Sequence, residues 1–158
     1  MLRIGFGFDV HQLKEGLPFS LGGINIVHHK GAEGHSDADV LIHAICDALL
    51  GAAGLRDIGF YFPDTDNAYK GIDSKILLTK VIQLLAKENY TVGNVDTTLC
   101  IEKPKINPYI EKMKETLAPL LNIGIGDISI KATTNEKMGF VGREEGVAAY
   151  AVVLIEKR

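Results

Sequence analysis

From Ile4 to His11 the chain alternates without a break: Ile4, Phe6, Phe8 and Val10 are apolar, and Gly5, Gly7, Asp9 and His11 fall between them. A period of two belongs to a half-buried strand. The alternation predicts that the apolar set turns to the core. Asp9 and His11 then share the opposite face, beside two glycines that leave the backbone bare for something to approach.

Further segments carry their own signals. The run "PFSLGGINIV", residues 18–27, predicts a short hairpin bent at Gly22 and Gly23. A helix is expected to open at Ser36, with Asp39 three residues later as a capping box. Its apolar stripe would be Ala38, Leu41, Ile42, Ile45, Ala48, Leu49 and Ala52, opposite a polar stripe of Ser36, Asp39, His43 and Asp47. Residues 57–71 read as a loop. Residues 72–87 form a second amphipathic helix with Leu77, Leu78, Val81, Leu84 and Leu85 inward. A strand over 91–101 follows, then a loop and a third helix from about Pro108, where proline suits the first helical position, with Ile110, Met113, Leu117 and Leu120 inward. Strands at 127–134 and 146–155 close the chain.

This order predicts an α+β fold: one domain over residues 1–158, with a mixed, largely antiparallel sheet and helices on one face. Thr97, Leu99 and "VAAYAVVLI" offer apolar surface for the other face, which implies cover by further copies in a closed homo-oligomer.

Composition excludes several classes of protein. No apolar run approaches the ~18 residues of a membrane span. A formal charge of −3 without a basic stripe argues against nucleic-acid binding. Cys46 and Cys100, without CxxC spacing, suit a reducing compartment. The first strand begins straight after Arg3, so no targeting segment is expected and the cytoplasm is the expected location.

Three groups of residues could do chemistry. Asp9 and His11 supply two metal ligands on one strand face, and His43 on the first helix is the obvious third. Either Asp39 or Asp47 is placed to accept the other ring N–H, and the open fourth position is that of catalytic zinc. The same residues also suit a plain polar strand edge and a solvated helix face. Gly34, His35 and Ser36 stand at a helix entrance that favours phosphate or carboxylate, or that is a plain cap. "FPDTD" is turn chemistry by composition. Lys131, Thr133, Thr134, Glu136 and Arg143 gather phosphate donors and one Mg²⁺-type carboxylate, or form a polar connection.

In order, "GFDVHQL", "GHSDADVLIHAICDALLGAAGLRDIG", "FPDTD", "NVDTT", "EKPK" and "KATTNEKMGFVGREEG" resemble the 2-C-methyl-D-erythritol 2,4-cyclodiphosphate synthase family over nearly the whole chain. The resemblance implies that Asp9, His11 and His43 hold zinc and that Glu136 holds a second ion, Mg²⁺ or Mn²⁺. It implies that His35 and Ser36 hold substrate phosphate, and that Asp57, Gly59, Phe62, Pro63 and Asp64 contact the methylerythritol part. Pro104, Lys105, Ala132, Thr133 and Thr134 would frame cytidine and its phosphates. His35 and Thr134 would join the metal ligands in catalysis. Phe140 and Arg143 match a pair with which some members hold an isoprenoid diphosphate on the trimer axis, with Glu144 and Tyr150 altering their surroundings.

The implied assembly is a homotrimer with each active site between subunits. The implied reaction is attack of the 2-phosphate of 4-diphosphocytidyl-2-C-methyl-D-erythritol 2-phosphate on its β-phosphorus, giving the cyclic diphosphate and CMP. The alternatives are a zinc-dependent phosphate-ester hydrolase and a non-catalytic nucleotide or isoprenoid-diphosphate binding module.

Overall fold

A computed structural model describes residues 1–158. The alternating segment lies within one long strand, β1 (Leu2–Glu15). A hairpin of β2 (Ser20–Leu21) and β3 (Ile24–Asn25) follows, then β4 (Lys30–Ala32). Gly22 and Gly23, at φ 60° and 79°, occupy the bend as expected. A tight two-residue turn of this kind needs positive φ at both central positions, which glycine adopts without steric cost.

Next come α1 (Val40–Ala53), a short α2 (Ile58–Tyr61) and α3 (Ser74–Lys87). The chain ends with β5 (Tyr90–Cys100), α4 (Ile110–Leu121), β6 (Ile128–Thr133), a short α5 (Gly139–Gly142) and β7 (Gly146–Lys157). The main sheet has the order β4-β1-β7-β5-β6, and only β5 and β6 run parallel. This is the expected mixed, largely antiparallel sheet. The helices α1, α3 and α4 pack on one side of it.

The faces of β1 are the reverse of the sequence expectation. Gly5 and Gly7 are buried against α1. A Cβ on Gly5 would stand 1.9 Å from the Ala48 carbonyl oxygen, and one on Gly7 equally close to that of Ala44. The helix backbone is what approaches the bare strand. Ile4, Phe6, Phe8 and Val10 point the other way and are exposed, Ile4 by 73% and Phe6 by 63%. Period-2 alternation says which side chains share a face. Which face meets the core depends on the partner, and here a close-packed helix selects the small residues.

Thr97 and Leu99 are also reassigned, since both are buried under the helices rather than on the open face. That face carries Tyr150 and Val152, paired with Phe8 and Phe6, and Asp96 on β5. Tyr150 lies opposite Phe8 and near Phe6, with ring centroids 5.1 Å from Phe8 and 6.4 Å from Phe6.

The helices differ from expectation mainly at their ends. α1 begins at Val40, and its cap is Asp39 rather than Ser36. Asp39 is completely buried, so it leaves the expected polar stripe. Its carboxylate accepts hydrogen bonds from the amides of Gly22, Gly23 and Ile42 at 3.0, 2.7 and 3.0 Å. One side chain therefore caps the helix and ties down the hairpin. α1 is buried nearly all round, as its largely apolar sequence requires. α3 starts at Ser74 with Asp73 as its cap, and α4 follows a single 3-10 turn over Asn107–Tyr109. No helix is long and apolar enough to cross a membrane.

Candidate metal centre and adjoining clefts

Strand β1 delivers Asp9 and His11 to its helix side, and α1 delivers His43 from its first turn. His11 Nε2 and His43 Nδ1 lie 3.0 and 3.1 Å from Asp9 Oδ2 and 3.1 Å from each other. The three atoms form a nearly equilateral triangle. Donors around a tetrahedral zinc with bonds of about 2.0–2.1 Å stand about 3.3 Å apart, so a small outward movement admits the ion.

The chemistry of the donors points the same way. His11 Nδ1 lies 2.9 Å from the Glu33 carbonyl oxygen, which can only accept. That bond puts the proton on Nδ1 and leaves the lone pair on Nε2, facing a carboxylate oxygen. Two acceptors at this distance repel unless a cation or a proton lies between them. Burial pushes the Asp9 carboxyl up, but hydrogen bonds and charge from His11 and His43 outweigh it and hold the group at about 2. Burial likewise opposes charge on His11, and Asp9 with the Glu33 carbonyl raises its pKa nonetheless. The residues fit a divalent metal.

The outer contacts of His43 are not those expected. Its Nε2 lies 2.9 Å from Ser74 Oγ and 3.1 Å from Ser36 Oγ. Asp39 is committed to amides, and Asp47 accepts from the Ile58 amide at 2.7 Å. Ser74 was missed by sequence reasoning: it lies 31 positions from His43, and a serine opening a helix signals only a helix start.

The triangle opens into a cleft of about 430 Å³ lined by His11, Gly34, His35, Ser36, His43, Ile58, Gly59, Phe62, Pro63, Asp64, Tyr69 and Leu77. His35, Ser36, Gly59 and the Phe62–Asp64 segment are thus brought together as expected, and Ile58, Tyr69 and Leu77 are additions. Asp57 does not line this cleft. It caps α2, accepting from the Phe60 amide at 2.9 Å.

A second cleft, of about 190 Å³, is lined by Pro104, Lys105, Ala132, Thr133 and Thr134, with Ile101, Glu102, Ile106 and Asn107. Glu136 stands outside its lining and is exposed. Its amide donates to Thr134 Oγ1 at 3.3 Å, and Glu136 and Lys137 both adopt left-handed backbone, at φ 52° and 61°. Two such non-glycine residues in succession are costly, a kind of strain that gathers at functional loops. Phe140 lines a third hollow with Val10, His11, Gln12, Glu145 and Gly146. Arg143 does not line it, and instead grips the Glu145 carboxylate at 2.9 and 3.1 Å.

The first two clefts are separate within one chain. Asp9 pairs with Ala149, Ala149 with Leu99, and Leu99 with Ala132, so the metal ligand and the second cleft share a rung of the sheet. They lie three strands apart, about 14 Å. Ala149 and Leu99 between them are fully buried under the helices, so no groove joins the clefts along this face.

An α+β domain with a carboxylate and two imidazoles closing on one point above a cleft is the class of protein that carries a candidate metal centre beside a cleft. The chain belongs to the YgbB family, whose profile matches residues 2–156. It is 62% identical over 156 residues to the 2-C-methyl-D-erythritol 2,4-cyclodiphosphate synthase of Bacteroides thetaiotaomicron, covering 99% of this chain and 98% of that one. Against the protein of the same name from Porphyromonas gingivalis it is 61% identical, covering 97% and 94%.

Among solved structures, bifunctional IspDF from Campylobacter jejuni superposes with a TM-score of 0.96 at 38% identity. That match covers all of this chain, which spans 43% of the length of the bifunctional protein. A CDP complex of IspF from Plasmodium falciparum superposes with a TM-score of 0.87 at 34% identity, covering 99% and 97%.

Proposed function

We propose that the chain converts 4-diphosphocytidyl-2-C-methyl-D-erythritol 2-phosphate to 2-C-methyl-D-erythritol 2,4-cyclodiphosphate and CMP, a step of non-mevalonate isoprenoid precursor synthesis. The observation that carries this reading is the Asp9–His11–His43 triangle at the head of a cleft, in a chain about three-fifths identical to curated synthases.

An oxygen of the 2-phosphate bonds to the β-phosphorus, and the bond from that phosphorus to the bridging oxygen breaks. The electron pair leaves on the α-phosphate of CMP. The attacking phosphate is already an oxyanion, so the chain needs neither a covalent nucleophile nor a general base. Its task is to hold both ends in line and neutralise charge.

His35 and Ser36, beside the triangle, hold and orient the attacking phosphate. Gly59 and the Phe62–Asp64 segment enclose the methylerythritol part and exclude water, with Asp57 holding that wall through the start of α2. Pro104, Lys105 and Ala132 to Thr134 frame the cytidine diphosphate. Asp9, His11 and His43 are the ligands for zinc, and Glu136 for Mg²⁺ or Mn²⁺. When bound, these ions supply positive charge to the phosphate oxygens.

Because the two clefts of one chain are separated, a complete site takes the metal half from one copy and the nucleotide half from its neighbour. The exposed apolar sheet face of β1 and β7 supports the homotrimer that this requires. Work in the cytoplasm follows from the same reading, as does an absence of nucleic-acid or membrane partners.

The test is metal content per chain after dialysis, paired with CMP release and product separation with and without Mg²⁺. About one zinc per chain and Mg²⁺-dependent formation of cyclic product with CMP is the expected result. A zinc-free chain that stays inactive after zinc is restored overturns the reading, and a linear product would move it to the hydrolase class.

A further inference from the structure

The hydrogen bonds behind His43 form a directed chain. Ser74 is fully buried at the first position of α3. Its single hydroxyl proton points to Asp37, whose Oδ1 accepts it in a short bond. The same carboxylate is anchored by two amides, Ser74 N–H to Oδ2 at 3.0 Å and Asp39 N–H to Oδ1 at 3.2 Å. With its proton committed, Ser74 Oγ has only lone pairs left for His43 Nε2 at 2.9 Å. Ser36 Oγ, the other hydroxyl near Nε2, accepts from the Ala38 amide at 3.2 Å and its own proton is held by no carboxylate, so it sets no direction.

We infer that Ser74 and Asp37 are positioning residues for the metal: Asp37 orients the Ser74 hydroxyl so that it accepts from His43 Nε2–H, which leaves the Nδ1 lone pair facing Asp9 and His11. This rests on the zinc reading above. His11 is set the same way by the Glu33 carbonyl, so each imidazole is held through the nitrogen that faces away from the centre. Partners of this kind commonly contribute about 10–100-fold to metal affinity.

A purely structural role is the competing explanation. The Asp37 amide also donates to the Ile72 carbonyl at 3.0 Å, and Asp37 caps Ser74 N–H, so the aspartate pins α3 to the loop before α1. Those backbone contacts survive Ser74→Ala, which removes only the hydroxyl. The variant therefore separates the two roles.

The experiment uses the full chain with ¹⁵N-labelled histidine, measuring zinc affinity by chelator competition, the His43 Nε2–H resonance of the zinc-loaded form, and the melting temperature without metal. The parent is expected to show an Nε2–H proton protected from exchange with water. Ser74→Ala should lose that protection and bind zinc about 10–100-fold more weakly, while metal-free melting falls only by what the one lost Ser74–Asp37 hydrogen bond accounts for. Asp37→Asn keeps an acceptor for the hydroxyl and should weaken zinc by less.

Zinc affinity of Ser74→Ala within about twofold of the parent, far below the expected loss, would overturn the inference. If Ser74→Ala does not fold, a freely exchanging Nε2 proton in the zinc-loaded parent overturns it alone. A parent that neither binds zinc nor releases CMP instead defeats the functional reading. An active parent with an indifferent Ser74→Ala defeats only this one.

Discussion

On its helix side β1 presents Gly5, Gly7, Asp9 and His11, and on its open side Ile4, Phe6, Phe8 and Val10. The helix side is packed so closely that a single carbon would overlap the backbone of α1. The open side is bulkier and more apolar, yet one chain leaves it in contact with water. Burial within the chain goes to the face with the closest partner, while the larger side chains are available to a neighbouring copy. The metal ligands lie on the closely packed face, where a strand and a helix in backbone contact can hold three side chains in fixed relation.

The largest expected effect comes from adding one methyl group to the tight face. Gly7→Ala sets a Cβ 1.9 Å from the Ala44 carbonyl oxygen, and separating β1 from α1 should cost on the order of 4 kcal/mol, read by denaturant unfolding. A loss below about 1 kcal/mol would mean that the contact is loose.

Asp39→Ala comes next. Removing the acceptor of three amides beneath the same helix should cost about 3 kcal/mol, and the hairpin amides of Gly22 and Gly23 should lose hydrogen-exchange protection.

Phe8→Asp on the open face should cost the isolated fold less than about 1 kcal/mol. It should nonetheless shift sedimentation from trimer to monomer and remove activity, since the site is proposed to need two chains. An active, trimeric Phe8→Asp would break the contrast between the faces.

The smallest effect is expected at the ion pair of Lys131 and Asp96, also on the open side, where Nζ lies 2.6 Å from Oδ2. The hydrogen bond from Lys131 holds the Asp96 carboxyl below its ordinary range. A lowered folded value means that the pair stabilises above the unfolded carboxylate pKa, and that this contribution fades as pH falls through the folded value. Asp96→Asn should cost about 0.5 kcal/mol at neutral pH, solvent screening included, and nothing in strong acid. Urea titrations at two pH values would check both parts.

Much of the site could be read from residue order. Asp9 and His11 had to share a face because they sit two apart in a strand, and the motif around His43 placed it on a helix. Pro104, Lys105 and Ala132 to Thr134, which the resemblance singles out together, line one cleft. The errors have physical causes. Ser36 and Asp39 both resemble caps, and the choice fell to Asp39 because only it also meets the amides of the β2–β3 hairpin. Asp47 lies one turn from His43 along the helix, but the Ile58 amide takes it. Ser74 and Asp37 lie on separate segments, and nothing local announces their contact with each other or with His43.

The sequence by itself determined the element order, the strand period, the hairpin at Gly22–Gly23 and the three metal-ligand types, because these depend on neighbours along the chain and on side-chain chemistry. Only the tertiary structure decided which face of β1 is buried, which aspartate caps α1, which hydroxyl holds His43, and that the two clefts are walled apart. Each of those depends on which distant segment lies within van der Waals or hydrogen-bonding distance, and periodicity carries no information about that.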